Sequence, residues 1–163
     1  MSRKITGTTF AFVGYTLLCG LLAPPAHAQQ CSLSQVAGKY AAWTQGNVNG
    51  IGPRVSAGIF TLDTSGKALN GKATSSLAGT VFNEAFSGNY SVSSDCTGTL
   101  AIDIFDASSG TKLFTATIAL YFDDGGKEIR GIFTSAATAP TSTAPATPLL
   151  TEIVLEARKI GEQ

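Results

Sequence analysis

The residue of this chain best placed to do chemistry is Glu84, because the alternation of a strand puts it on one face with Phe82, Phe86 and Tyr90. A carboxyl enclosed by aromatics is disfavoured in its charged form, which suits it to proton transfer or to anchoring the polar group of a ligand. The plainer expectation is that the aromatics form a core and that Glu84 sits at a rim or bulge, satisfied by solvent or by Lys72, since charged residues near strand ends stay wet. Asp103 and Asp106 flank Phe105, and Asp123-Asp124 stand side by side. Paired carboxylates bind calcium or act on glycosides. Here, however, Asp123-Asp124-Gly125-Gly126 reads as turn chemistry and lacks the ligand spacing of a calcium loop, so no metal site is expected.

Which other chemistries remain open depends on the first residues. Arg3 and Lys4, an apolar stretch from Phe10 to Ala23 and the small-residue exit Ala26-His27-Ala28 have the layout of a secretory signal peptide over residues 1–28. The apolar stretch is shorter than the roughly 20 residues of a membrane span and is closed by Pro24 and Pro25, so no span is expected in the mature chain. Cleavage would remove Cys19 and also His27, the single histidine. Without histidine, Ser-His-Asp and Cys-His nucleophiles and the usual zinc sites are excluded. Cys31 and Cys96 remain, an even pair in a chain expected to be exported to the periplasm or the extracellular space, and a disulfide is the simple reading. All eleven acidic residues follow the signal while two of the eleven basic ones lie in it, leaving a slightly acidic chain. Its basic residues are scattered, which argues against a nucleic-acid partner. No cofactor is implied.

The elements that would position these residues are strands. Segments rich in Thr, Val, Ile, Phe and Tyr alternate with clusters of Gly, Asp, Asn and Ser, and no long helical period appears. Eight strands are expected: 39–46, 54–62, 67–77, 80–92, 98–105, 111–122, 127–135 and 150–159, with the weakest boundary at Ala78-Gly79. Leu100, Ile102 and Ile104 share one face, as do Phe114, Ala116, Ile118, Leu120 and Phe122. Eight sequential strands with tight turns predict an all-β fold, an eight-stranded antiparallel up-and-down barrel in a single domain over 29–163, with a β-sandwich as the structural rival. The Ala, Thr, Ser and Pro run 136–148 is expected to be an extended loop between the last two strands.

The stretch Leu33-Ser34-Gln35-Val36-Ala37-Gly38-Lys39-Tyr40 resembles the entry to the first strand of lipocalins and the wider calycin group, which carry Gly-x-Trp there. In this chain Tyr40 takes the place of that Trp, and Trp43 follows three residues later. The resemblance implies a barrel whose end is closed by Tyr40 packed near a basic residue of the last strand, for which Arg158 stands in the right region. The segments 88–99 and 124–129 resemble short exported bacterial proteins that supply no activity to inherit. Allene oxide cyclase and dirigent proteins also use small eight-stranded barrels, an analogy of fold alone.

Three functions compete. The first is a barrel binding a small hydrophobic ligand, with Trp43, Phe60, Phe82, Glu84, Phe86, Tyr90 and Phe114 lining its interior or mouth. The second is a structural or interaction protein whose barrel is filled and whose protein partner is unspecified. The third is a cyclase or isomerase using Glu84 as its catalytic acid.

Overall fold

The structure is a computed structural model that describes residues 30–161. The expected signal segment, including Cys19 and His27, lies outside the described residues. A one-turn helix α1 (Leu33–Val36) precedes strands β1 (Gly38–Val48), β2 (Gly52–Leu62), β3 (Lys67–Leu77), β4 (Thr80–Val92), β5 (Thr97–Asp106), β6 (Lys112–Asp123), β7 (Glu128–Thr138), β8 (Pro148–Leu149) and β9 (Thr151–Ile160). Each of β1 to β7 pairs antiparallel with its sequence neighbours, and β9 inserts between β7 and β1. The ring is therefore closed, a barrel of eight strands rather than a sandwich, and no long strand is left with an unpaired edge. The two-residue β8 lies outside the ring and pairs with Ala136 and Ala137 of β7. The ends of the low-complexity segment are thus strand, and its loop is confined to residues 139–147. Pro148 fits there because β8 is an edge, where a missing N–H breaks no ladder.

Turn chemistry sets the meander. Asp63, Asp95 and Asp106 each accept hydrogen bonds from the backbone and hydroxyls of residues two or more positions on, closing the β2–β3, β4–β5 and β5–β6 turns. The Ser108 hydroxyl first, then the backbone N–H and hydroxyl of Ser109, pull the Asp106 carboxyl down to about 2. At β3–β4 the two-residue link is Ala78-Gly79, with Leu77 paired to Thr80. Both linking residues take positive φ, 49° and 86°, as a tight hairpin of this hand demands. Ala78 departs from the usual Asn or Gly, which is why this boundary is faint in the sequence.

One end of the barrel is closed. α1 folds across it, with Val36 fully buried against the 3-10 turn Asp124–Gly126. The hydroxyl of fully buried Tyr40 lies 2.6 Å from the Val36 carbonyl and 2.5 Å from that of Gly126, sharing its proton between the helix and the turn. Below it Tyr40 stacks on Phe60 at 5.5 Å between ring centroids. The Cys31–Cys96 disulfide ties the segment before α1 to the β4–β5 turn at the same end. The core runs on through Leu62, Leu100, Ile102, Ile104, Ile118, Leu120 and Ile129, which confirms the inward faces expected for β5 and β6.

Two outcomes follow. Replacing both Cys31 and Cys96 by Ser, which opens a link between positions 65 residues apart, lowers unfolding stability by about 4 kcal/mol, read from denaturant midpoints with and without reductant. Ala78→Asn, which suits positive φ, raises stability by about 1 kcal/mol in the same measurement, and an unchanged midpoint would contradict the strained turn.

Candidate functional site

Counting back along β2 from Leu62 and Phe60, strand alternation turns Gly58, Ser56 and Arg54 to the inside. Along β4 the same rule turns Tyr90, Phe86 and Glu84 inward. Two opposite charges therefore enter a lumen otherwise lined by hydrocarbon and hydroxyl, and they meet. Arg54 and Glu84 are 5% and 2% exposed. Nη1 of Arg54 donates to Oε1 of Glu84 at 3.1 Å and Nη2 to Oε2 at 2.8 Å, a two-pronged pair. The Ser75 hydroxyl donates to Oε2 at 2.6 Å and sits 3.4 Å from Nη2. The guanidinium also lies over the Phe114 ring, 5.4 Å from its centroid.

This pair divides the space left inside the barrel. On its inner side lies a cavity of about 50 Å³ lined by Phe60, Glu84, Phe86, Ile104 and Phe133 among others. That is far below the roughly 300 Å³ at which pockets for drug-sized ligands begin, so the lumen is essentially filled. On its outer side, at the end opposite α1, a mouth of about 140 Å³ is bounded by Val48, Ile51, Leu77, Phe114, Leu149 and Ile153 and is almost wholly apolar. Arg54 lines both spaces.

The residues expected to form the site separate under this geometry. Phe60, Glu84 and Phe86 line the inner cavity and Phe114 lines the mouth. Phe86 is seated over Gly71, where a Cβ would come within 2.3 Å of its ring. Phe82 is half-buried near the start of β4, on the face of Glu84, and lines neither space. Tyr90 belongs to the closed end, where its hydroxyl donates to the Asp63 carbonyl and burial, with the nearby Asp63 charge, pushes it up to about 12. Trp43 also borders the inner cavity, but its ring does not point inward. It is an odd residue on a strand whose even residues Tyr40 and Thr44 are buried, so it stands 42% exposed on the outer wall and donates to Glu156 at 3.1 Å. The partner of Glu84 is Arg54, not Lys72, which lies on the opposite face of β3. The basic residue beside Tyr40 is Lys159, its partner in register, with Nζ 5.9 Å from the ring centroid and bonded to the Gln35 carbonyl. Arg158, one residue back, is turned outward, its side chain 79% exposed, and pairs with Glu128 at 3.1 Å.

Comparison with family models, with curated proteins and with solved structures returned no match to this chain.

Chemically, the arrangement holds more than it reacts. Oε1 of Glu84 accepts from Arg54 and Oε2 from Arg54 and Ser75, so three hydrogen bonds hold the carboxylate in place. Among the described residues no cluster of three or more His, Cys, Asp or Glu side chains is placed to hold a metal ion. Arg54 is the residue that sequence reasoning passed over, although its parity with Phe60 and Leu62 and that of Glu84 with Phe86 already place two opposite charges inside.

Removing one partner strands a buried charge or a buried donor set. Glu84→Gln or Arg54→Met therefore costs about 3–5 kcal/mol of unfolding stability. The double variant Arg54→Met with Glu84→Leu, which removes both charges and keeps the volume, recovers most of that loss in urea unfolding. Additive single losses would contradict the pairing.

Proposed function

We propose that the protein is an exported β-barrel that binds a small apolar ligand at its open mouth, in the manner of a lipocalin-like binding module but without a deep interior pocket. The observation that carries this reading is the division of the lumen: the interior is packed to about 50 Å³, while about 140 Å³ of apolar space stays open beyond the Arg54–Glu84 pair. An apolar cavity of similar size, about 150 Å³, takes a benzene molecule. The exposed side chains of Ile51 and Leu150 stand on the mouth-end loops beside it and extend its apolar surface outward. The Cys31–Cys96 disulfide fits an oxidising compartment, and no helix of the described residues is long and apolar enough to cross a membrane.

A second reading, an interaction protein with a filled barrel, is favoured by the outer wall. Val81, Ser76, Val55, Gln45, Val154 and Ile132 are register partners in one row across β4, β3, β2, β1, β9 and β7. Its four aliphatic members are each exposed by two-fifths or more. Such a row suits contact with another protein surface.

Titration with benzene, followed by backbone and methyl NMR, separates the two. Shifts confined to Val48, Ile51, Leu149 and Ile153 are expected. They vanish in Ala136→Phe, which fills the mouth from β7. A titration that leaves these resonances unmoved sinks the mouth reading and leaves the outer wall as the better candidate.

A further inference from the structure

The mouth is apolar, yet its floor carries a cation, and the hydrogen bonds of that cation are incomplete. A guanidinium has five N–H donors in a rigid plane. Arg54 uses three of them among the described residues: one from Nη1 to Glu84, and two from Nη2 to Glu84 and Ser75. Among the described residues the Nε–H and the second Nη1–H have no protein partner, and because no buried side-chain nitrogen there is left unpaired, Nε is open to a space that the residue lines. Water meets such a donor in the empty mouth; an apolar occupant that displaces it leaves the donor unpaired, whereas an occupant that brings an acceptor keeps it satisfied.

The charge of that acceptor is constrained as well. Glu84 already neutralises Arg54 at 2.8 Å, so the floor presents donors without net charge. A carboxylate or phosphate head would set a second anion beside Glu84 in a space where water screens little, and like charges so placed repel. An uncharged oxygen acceptor meets the donors with no such cost. The Phe114 ring beneath the guanidinium and the hydrocarbon of Val48 and Ile153 complete a setting for a chain attached to that oxygen.

Building on the mouth reading, we infer that the ligand is an uncharged, slender amphiphile: an alkyl chain ending in a carbonyl, ester or hydroxyl oxygen, which accepts from the unused donors of Arg54. The enclosed volume covers the head and the first few carbons, and the rest of the chain leaves along Ile51 and Leu150.

The test uses the whole secreted chain and four matched probes: octane, octan-2-one, octan-1-ol and octanoate. Affinities are taken from calorimetry, and the Arg54 Nε–H is followed directly by proton–nitrogen NMR. Expected are binding of octan-2-one and octan-1-ol about tenfold tighter than octane, weaker binding of octanoate than of either, and a downfield move of the Nε–H with the oxygenated probes only. In the double variant Arg54→Met with Glu84→Leu the preference for oxygen disappears while octane still binds. Octanoate binding as tightly as the ketone, or a ketone-to-octane ratio unchanged in the double variant, overturns the inference and leaves the mouth reading standing. If none of the four binds, the mouth reading falls and takes the inference with it.

Discussion

A ring of eight strands has a lumen of nearly fixed width, just wide enough for inward side chains to fill it, and this constraint governs the rest of the molecule. Once β9 takes its place between β7 and β1, every strand turns alternate residues into the same narrow space. Large inward residues must then face small ones. Phe86 lies over Gly71, and the aromatic pair Tyr40 and Phe60 occupies the closed end, while Ala42, Gly58 and Ala73 leave the little space that remains midway. A polar inward residue must find its partner within the lumen, because there is no room for it to turn away.

The Arg54–Glu84 pair is the consequence of that rule at the one level where charges enter. A buried ion pair stabilises a fold less than its Coulomb attraction implies, because both partners lose their hydration. Its clearer effect here is geometric. It spans β2 to β4, takes the Ser75 hydroxyl from β3 between them, and ends the packed interior at a defined depth. Everything towards α1 is core, and everything beyond is mouth.

The fold was legible in the sequence because both of its determinants are local. Turn clusters such as Asp63-Thr64-Ser65-Gly66 and the period-two faces of β5 and β6 needed no knowledge of pairing. What stayed hidden depends on register or on small shifts in it. Thr134 is an extra residue between β7 and β6, its hydroxyl donating to the Thr117 carbonyl, and it moves the inward set of β7 from Ile129 and Phe133 to Ala136. The choice between Arg158 and Lys159 beside Tyr40 turned on a single step of alternation. Trp43 has the parity opposite to Tyr40, so its ring stands on the outer wall although the residue borders the inner cavity. Glu84 was found, but its surroundings were not, since a partner 30 residues away on a strand two places along the sheet leaves no local trace.

The seam between β1 and β9 has a further consequence. Lys39 and Ile160 are register partners, so the first and last strands of the ring start and stop side by side at the closed end, where Lys159 reaches the Gln35 carbonyl of α1, opposite the mouth. The ring therefore has no privileged beginning. It is a circular object in which chain order and spatial order coincide, and a break at residues 139–147 with a short bridge across the seam would describe the same barrel in a permuted order. Anything fused at either side of that seam therefore starts from the end of the barrel opposite the mouth.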